Sequence, residues 1–154
     1  MDKLMKWLEK YMLPIAAKIG LQRHLSALRR AFLMIIPLVL AGSLFTLIPN
    51  IYGLIDFFAP FAAYFQLAND VTFGLITIYI AIAFTHYLAG SYKINEVIVP
   101  ILAVLCLFLT TDKIANIEGA NYFPLLYLGT WGMFGGLAMS LYVVEFYRLL
   151  YKLL

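Results

Sequence analysis

Four long apolar runs, separated by short polar punctuation, set the plan of this chain. The first, Ala31 to Pro49, reads AFLMIIPLVLAGSLFTLIP and carries no charged side chain. About 20 apolar residues at 1.5 Å rise cross the ~30 Å hydrocarbon core of a bilayer, so the run predicts a transmembrane helix. Val71 to Gly90 predicts a second span, Val97 to Thr111 a short third one, and Leu125 to Val144 a fourth. Ser91 to Glu96, SYKINE, reads as the turn between the second and third spans. Asp112 to Pro124, with Asp112, Lys113 and Glu118, reads as a solvated loop. Asn69 and Asp70 suit the N-terminal cap of the second span.

A different pattern precedes the first span. Leu4, Leu8, Tyr11, Met12 and Ile15 recur at helical spacing, with Lys3, Lys6, Glu9 and Lys10 on the other side. A helix with Lys on one face and Leu and Trp7 on the other lies in the membrane interface, so residues 1–20 predict an amphipathic interfacial element. The competing reading is a helix packed on a soluble partner. Pro14 and Gly20 punctuate its end.

Ile51 to Asn69 fits either a span or an outer interfacial helix: it is rich in Tyr and Phe but holds Asp56 and Pro60. Charge decides between them. If it lies outside, ten Lys and Arg fall in cytoplasmic segments and only Lys113 outside; if it spans, the split is eight to three. Lys and Arg gather on the cytoplasmic side, so the first arrangement is preferred. Arg23, Arg29 and Arg30 form the collar that orients the first span, and both termini fall in the cytoplasm.

Composition narrows the class. The chain is 64% hydrophobic and 12% charged, against about 25% charged in soluble domains. The expectation is an all-α integral membrane protein of about four transmembrane helices, a single membrane domain over residues 1–154. The net charge of +3 does not point to nucleic acid: seven of the eleven Lys and Arg lie in the first thirty residues, flanking a span. The single cysteine, Cys106, reads as a small buried hydrophobe and forms no disulfide within the chain. No P-loop, dinucleotide fingerprint or metal-spaced His/Cys cluster is present, and nothing in the sequence calls for a cofactor.

Small and polar residues inside the spans supply the remaining candidates. Gly129, Gly132 and Gly136, with Ser140, crowd the fourth run; the last three repeat every four residues and share a helix face. Such a face lets another helix backbone approach, which is how helices associate in lipid. Its expected partner is Gly42 on the first span or a second copy of the chain. His86 is an ionisable group at membrane depth, which is a functional candidate, though a neutral histidine bonded to a backbone carbonyl, Thr85, Tyr87 or Tyr92 is the plainer reading. Glu145 and Arg148 stand three apart and can pair.

YMLPIAAKIGLQRHLSALRRAF followed by IIPLVLAGSLFTLI resembles the N-terminal region of the IIC subunits of the bacterial phosphotransferase system, of the lactose/cellobiose (oligo-β-glucoside) type. YLAGSYKINEVIVPILAVLCLFL and YLGTWGMFGGLAMSLYVVEFYRLLYK resemble later stretches of the same region. The resemblance implies a multi-pass protein of the bacterial cytoplasmic membrane, a scaffold and dimerisation role for this part, and soluble IIB partners on the cytoplasmic side. Family members are much longer and take their sugar through a Gly-x-His-Gly type histidine and an Asn-Glu-Pro glutamate. Here Asn95-Glu96-Val97 departs from the second motif, and neither His24 nor His86 has the glycine setting of the first, so no sugar-binding or catalytic residue carries over. Three functions follow as expectations. One is the scaffold part of a sugar permease that transports only with a C-terminal half. The others are a IIC-like anchor or sensor for a signalling domain, and a small regulatory or immunity protein that pairs with an intact permease.

Overall fold

The computed structural model describes residues 8–12, 20, 22–51, 60–111, 115–117, 120–122 and 125–153. Among the described residues six α-helices carry the fold: α1 Arg23–Ile51, α2 Ala62–Thr72, α3 Ile76–Tyr92, α4 Ile98–Thr110, the single turn α5 Leu125–Leu128, and α6 Met133–Leu153. Between α4 and α5, β1 Ala115–Ile117 pairs antiparallel with β2 Ala120–Tyr122, so the stretch expected as a loop contains a small hairpin. Of the expected N-terminal amphipathic helix, only the π-helical turn Leu8–Met12 and Gly20 fall among the described residues.

α3 is the centre of the bundle and packs against α1, α4 and α6. The buried positions repeat at helical spacing: Ala27, Ala31 and Ile35 on α1, Val99, Ala103 and Leu107 on α4, Gly136, Ser140, Val143 and Val144 on α6. These stripes are rich in small side chains. Lipid tails are as apolar as leucine, so helices gain by close backbone approach rather than by hiding apolar surface from water. Correspondingly, the large apolar side chains of α1 face outward: Leu33, Met34, Leu40, Leu44 and Leu47 are all more than half exposed.

Among the described residues, three helical stretches can cross a membrane by length and composition: Arg23–Ile48, Ala62–Tyr92 and Thr130–Leu153. α4 occupies the third expected span but has 13 residues, about 20 Å of helix. It is apolar yet too short to cross alone. Its two ends are closed by polar groups. Asn95 Oδ1 accepts the N–H groups of Val97 and Ile98, both at 2.9 Å, and the Thr111 hydroxyl donates to Leu107 O at 2.7 Å.

The second expected span begins earlier than Val71. α2 already contains Asn69 and Asp70, and a three-residue break, Phe73–Leu75, joins it to α3. Asn69 and Asp70 therefore do not cap the span. The Asn69 carbonyl instead accepts from Phe73 N–H at 2.8 Å, and the Tyr79 hydroxyl donates to the freed Val71 carbonyl at 3.0 Å. A break inside a candidate membrane span survives because its backbone groups find such partners. α2 packs against α1, joined by a 2.7 Å hydrogen bond from the Thr46 hydroxyl to Asn69 Oδ1. The first half of the stretch expected as an outer interfacial helix, residues 52–59, lies outside the described residues.

The α3–α4 turn is a helix stop built by Lys93, whose φ of 57° is left-handed. Ile94 N–H then reaches back to Ala89 O at 3.2 Å, and the Ile94 side chain is buried beneath the turn. This is the Schellman arrangement, with lysine in the position that glycine usually takes.

Candidate functional site

Among the described residues, polar groups gather in three places. The first is the end of the bundle where α1 begins, α3 stops and α6 runs out. Tyr92, the last residue of α3, donates its hydroxyl to Glu145 Oε1 at 2.5 Å. Arg148 Nη1 donates to Glu145 Oε2 at 3.1 Å. His24 Nε2 stands 3.8 Å from Glu145 and 3.4 Å from the Tyr92 hydroxyl. The guanidinium groups of Arg148 and Arg23 lie 4.2 and 5.5 Å from the centre of the Tyr92 ring. One tyrosine thus ties three helices together through a carboxylate and two cation–π contacts. The Glu145–Arg148 pair was legible from its spacing. Tyr92 was not, because its partners, Glu145, Arg148, His24 and Arg23, all lie more than fifty residues away in the chain. Arg29 and Arg30, the rest of the collar, are exposed on α1.

His86 forms the second gathering. Its Nδ1 lies 3.2 Å from the Glu96 carbonyl oxygen, and its Nε2 lies 3.8 Å from Glu96 Oε2 across the Lys93 turn. Both side chains are about half exposed. They border an apolar groove of about 520 Å³ between α1, α3 and α4, with Met34, Ile82, Pro100, Ile101 and Phe108 among its walls. Cys106 is half-buried on α4.

The glycines make the third. Gly129 lies outside the long helix, in the break between α5 and α6, where its carbonyl accepts the Thr77 hydroxyl at 2.6 Å. A Cβ at Gly136 would stand 2.5 Å from Thr77 Cγ2; a Cβ at Gly132 would collide with the backbone carbonyl of Tyr127. Gly135, on the outer side, has open space. Ser140 is buried, and its hydroxyl has no hydrogen-bond partner among the described residues. The expected approach of Gly42 to this face is not what forms. Gly42 is buried against Thr72 and Phe73, with 2.9 Å left for a Cβ. The helix that meets the glycine face is α3, through Thr77. A β-branched residue opposite two glycines is a knob-and-notch pair that spacing along either helix alone does not reveal.

Residues 29–154 match the family model for the phosphotransferase system, EIIC. The chain belongs to this family. Among curated relatives, it is 27% identical over 150 residues to the oligo-beta-mannoside-specific EIIC component of Bacillus subtilis, covering 92% of this chain and 34% of that protein. The cellobiose-specific EIIC component of Geobacillus stearothermophilus is 26% identical over 164 residues, 96% of this chain and 36% of the relative. A second cellobiose-specific EIIC component, from Lactococcus lactis, is 49% identical over 51 residues, 33% of this chain. The fold resembles the crystal structure of the transporter ChbC, the IIC component of an N,N'-diacetylchitobiose-specific phosphotransferase system. The TM-score is 0.79 at 24% identity, over 95% of this chain and 38% of that one. This EIIC chain therefore spans about a third of the length of the curated relatives it matches. Apart from the short β1–β2 pair it is a helical membrane protein, and it corresponds to part of a IIC sugar permease component.

Proposed function

We propose that this EIIC chain is the membrane scaffold of a phosphotransferase-system sugar permease of the cellobiose/oligosaccharide type, and does not transport sugar alone. The observation that supports the reading most is the continuous match from residue 29 to 154, together with a fold aligned over 95% of the chain but only 38% of the transporter. The geometry agrees with a scaffold. The polar clusters bind one another and hold helices in place: Tyr92 to Glu145, Thr77 to Gly129, His86 to Glu96. A sugar pocket needs polar groups left free to meet hydroxyls. In this reading the chain performs no phosphoryl transfer itself. It sits in the bacterial cytoplasmic membrane with the Tyr92–Glu145 end inward, where a soluble IIB subunit meets the assembled permease, and Gly132, Gly136 and Ser140 serve packing.

The test is uptake in cells lacking other permeases for the sugar. The chain alone gives no saturable cellobiose uptake. Co-expressed with the remaining two-thirds of a curated relative, it co-purifies with that part and uptake appears. Saturable uptake by the chain alone overturns the reading, as does failure to associate when both parts are in the membrane.

A further inference from the structure

A trough of about 540 Å³ runs along the C-terminal half of α6. Its apolar floor is Tyr142, Phe146, Leu149 and Leu153, spaced four, three and four residues apart and so on one helix face. Tyr142 and Phe146 stack their rings, 5.9 Å apart and 12° from parallel. Glu145, Arg148 and Lys152 line the adjoining edge, again three and four apart. The volume falls in the range of about 300–1,000 Å³ typical of small-ligand sites.

The charges along this edge do not balance. Among the described residues Glu145 is the one carboxylate in the lining, and it already receives the Tyr92 hydroxyl and Arg148. Arg23 converges on the same Tyr92 ring, and Lys152 lies a turn beyond Arg148. Two cations, Arg148 and Lys152, line the trough beside one carboxylate, and Arg148 is already paired with it, so Lys152 is left as the excess charge where an apolar strip meets the end of a membrane helix.

We propose that this trough binds an anionic phospholipid. The phosphodiester lies against Arg148 and Lys152, and an acyl chain runs along Tyr142, Phe146, Leu149 and Leu153. Charge complementarity selects this occupant. A zwitterionic lipid brings a cation of its own to a cationic edge. Free phosphate leaves the floor uncovered. A second copy docked symmetrically through the trough sets the same cations against each other, because a two-fold contact meets its own surface. Lys and Arg at the membrane surface attract acidic headgroups.

The experiment uses the full chain in detergent micelles, titrated with phosphatidylglycerol or phosphatidylcholine, with retained lipid counted by native mass spectrometry. Phosphatidylglycerol is retained and phosphatidylcholine is not. Each Lys or Arg near the surface is worth roughly fivefold in affinity, so Lys152→Gln weakens phosphatidylglycerol about fivefold and Lys152→Gln with Arg148→Gln roughly 25-fold. Arg148 also holds Glu145, so the double variant is read beside its circular dichroism. Lys152 takes no part in the Tyr92–Glu145–Arg148 contacts, so Lys152→Glu tests the charge by itself and must lower retention further than Lys152→Gln. Equal retention of the two lipids overturns the proposal, as does phosphatidylglycerol binding unmoved by Lys152→Glu. So does displacement by inorganic phosphate at matched concentration, which means a headgroup charge site without a lipid tail. A dimer abolished by Lys152→Glu with lipid retention unchanged gives the trough to a second copy and also overturns it.

Discussion

Gly136→Ala tests the packing argument at its tightest point. The new methyl starts 2.5 Å from Thr77 Cγ2, and ordinary carbon contacts lie near 3.5–4.0 Å, so about 1 Å of relief is required. Two routes supply it. Thr77 can rotate, but its hydroxyl is fully buried and donates to Gly129 O at 2.6 Å, so rotation leaves a buried group unpaired at a cost of about 1–3 kcal/mol. Alternatively α3 and α6 separate, and overpacking of a well-filled contact costs about 1–3 kcal/mol. Either way Gly136→Ala destabilises the bundle by about 1–3 kcal/mol. Gly135→Ala is the control: one residue along the same helix, with nothing within 4 Å of its Cβ, it is neutral or slightly stabilising. The decisive variant is Thr77→Ser in the Gly136→Ala background. Serine removes the clashing methyl and keeps the hydroxyl that reaches Gly129, so it restores most of the loss. Denaturation midpoints in mixed SDS micelles, arranged as a double-mutant cycle, measure the coupling. Equal effects of Gly135→Ala and Gly136→Ala, or no recovery with serine at 77, would refute the packing of α6 on Thr77.

Two further outcomes follow from the geometry. Tyr92→Phe removes the donor to Glu145 Oε1 and leaves the carboxylate with Arg148. At this half-exposed site the loss is about 1 kcal/mol, read in the same micelle titration, and an unchanged midpoint means the three-helix tie carries no stability. For orientation, cysteine placed at Asn116 in the hairpin is labelled by an impermeant reagent from outside, and cysteine at Lys93 in the α3–α4 turn is protected until the membrane is opened; the reverse pattern rejects the inward placement of the Tyr92 end.

The helical membrane class was legible in the sequence because hydrocarbon imposes a simple rule: a long uncharged run must satisfy its own backbone, and only a helix does so within one segment. The charged collar from Arg23 to Arg30, the glycine-rich start of the last helix and the Glu145–Arg148 pair all rest on local spacing, and spacing is what a sequence displays. Tertiary structure decided the rest. It placed the helix break at Phe73–Leu75, where Tyr79 reaches the Val71 carbonyl, rather than a clean start after Asn69 and Asp70. It chose Thr77 over Gly42 as the neighbour of Gly136 and sent Gly42 to Phe73. It also gathered His24, Tyr92 and Glu145 from three helices at one end of the bundle. The last two of these join residues far apart in the chain, whereas the break joins residues eight apart. Helical periodicity says which face is small or polar, but not which other face it meets; that depends on the crossing of helices, which is fixed only when all their side chains pack at once.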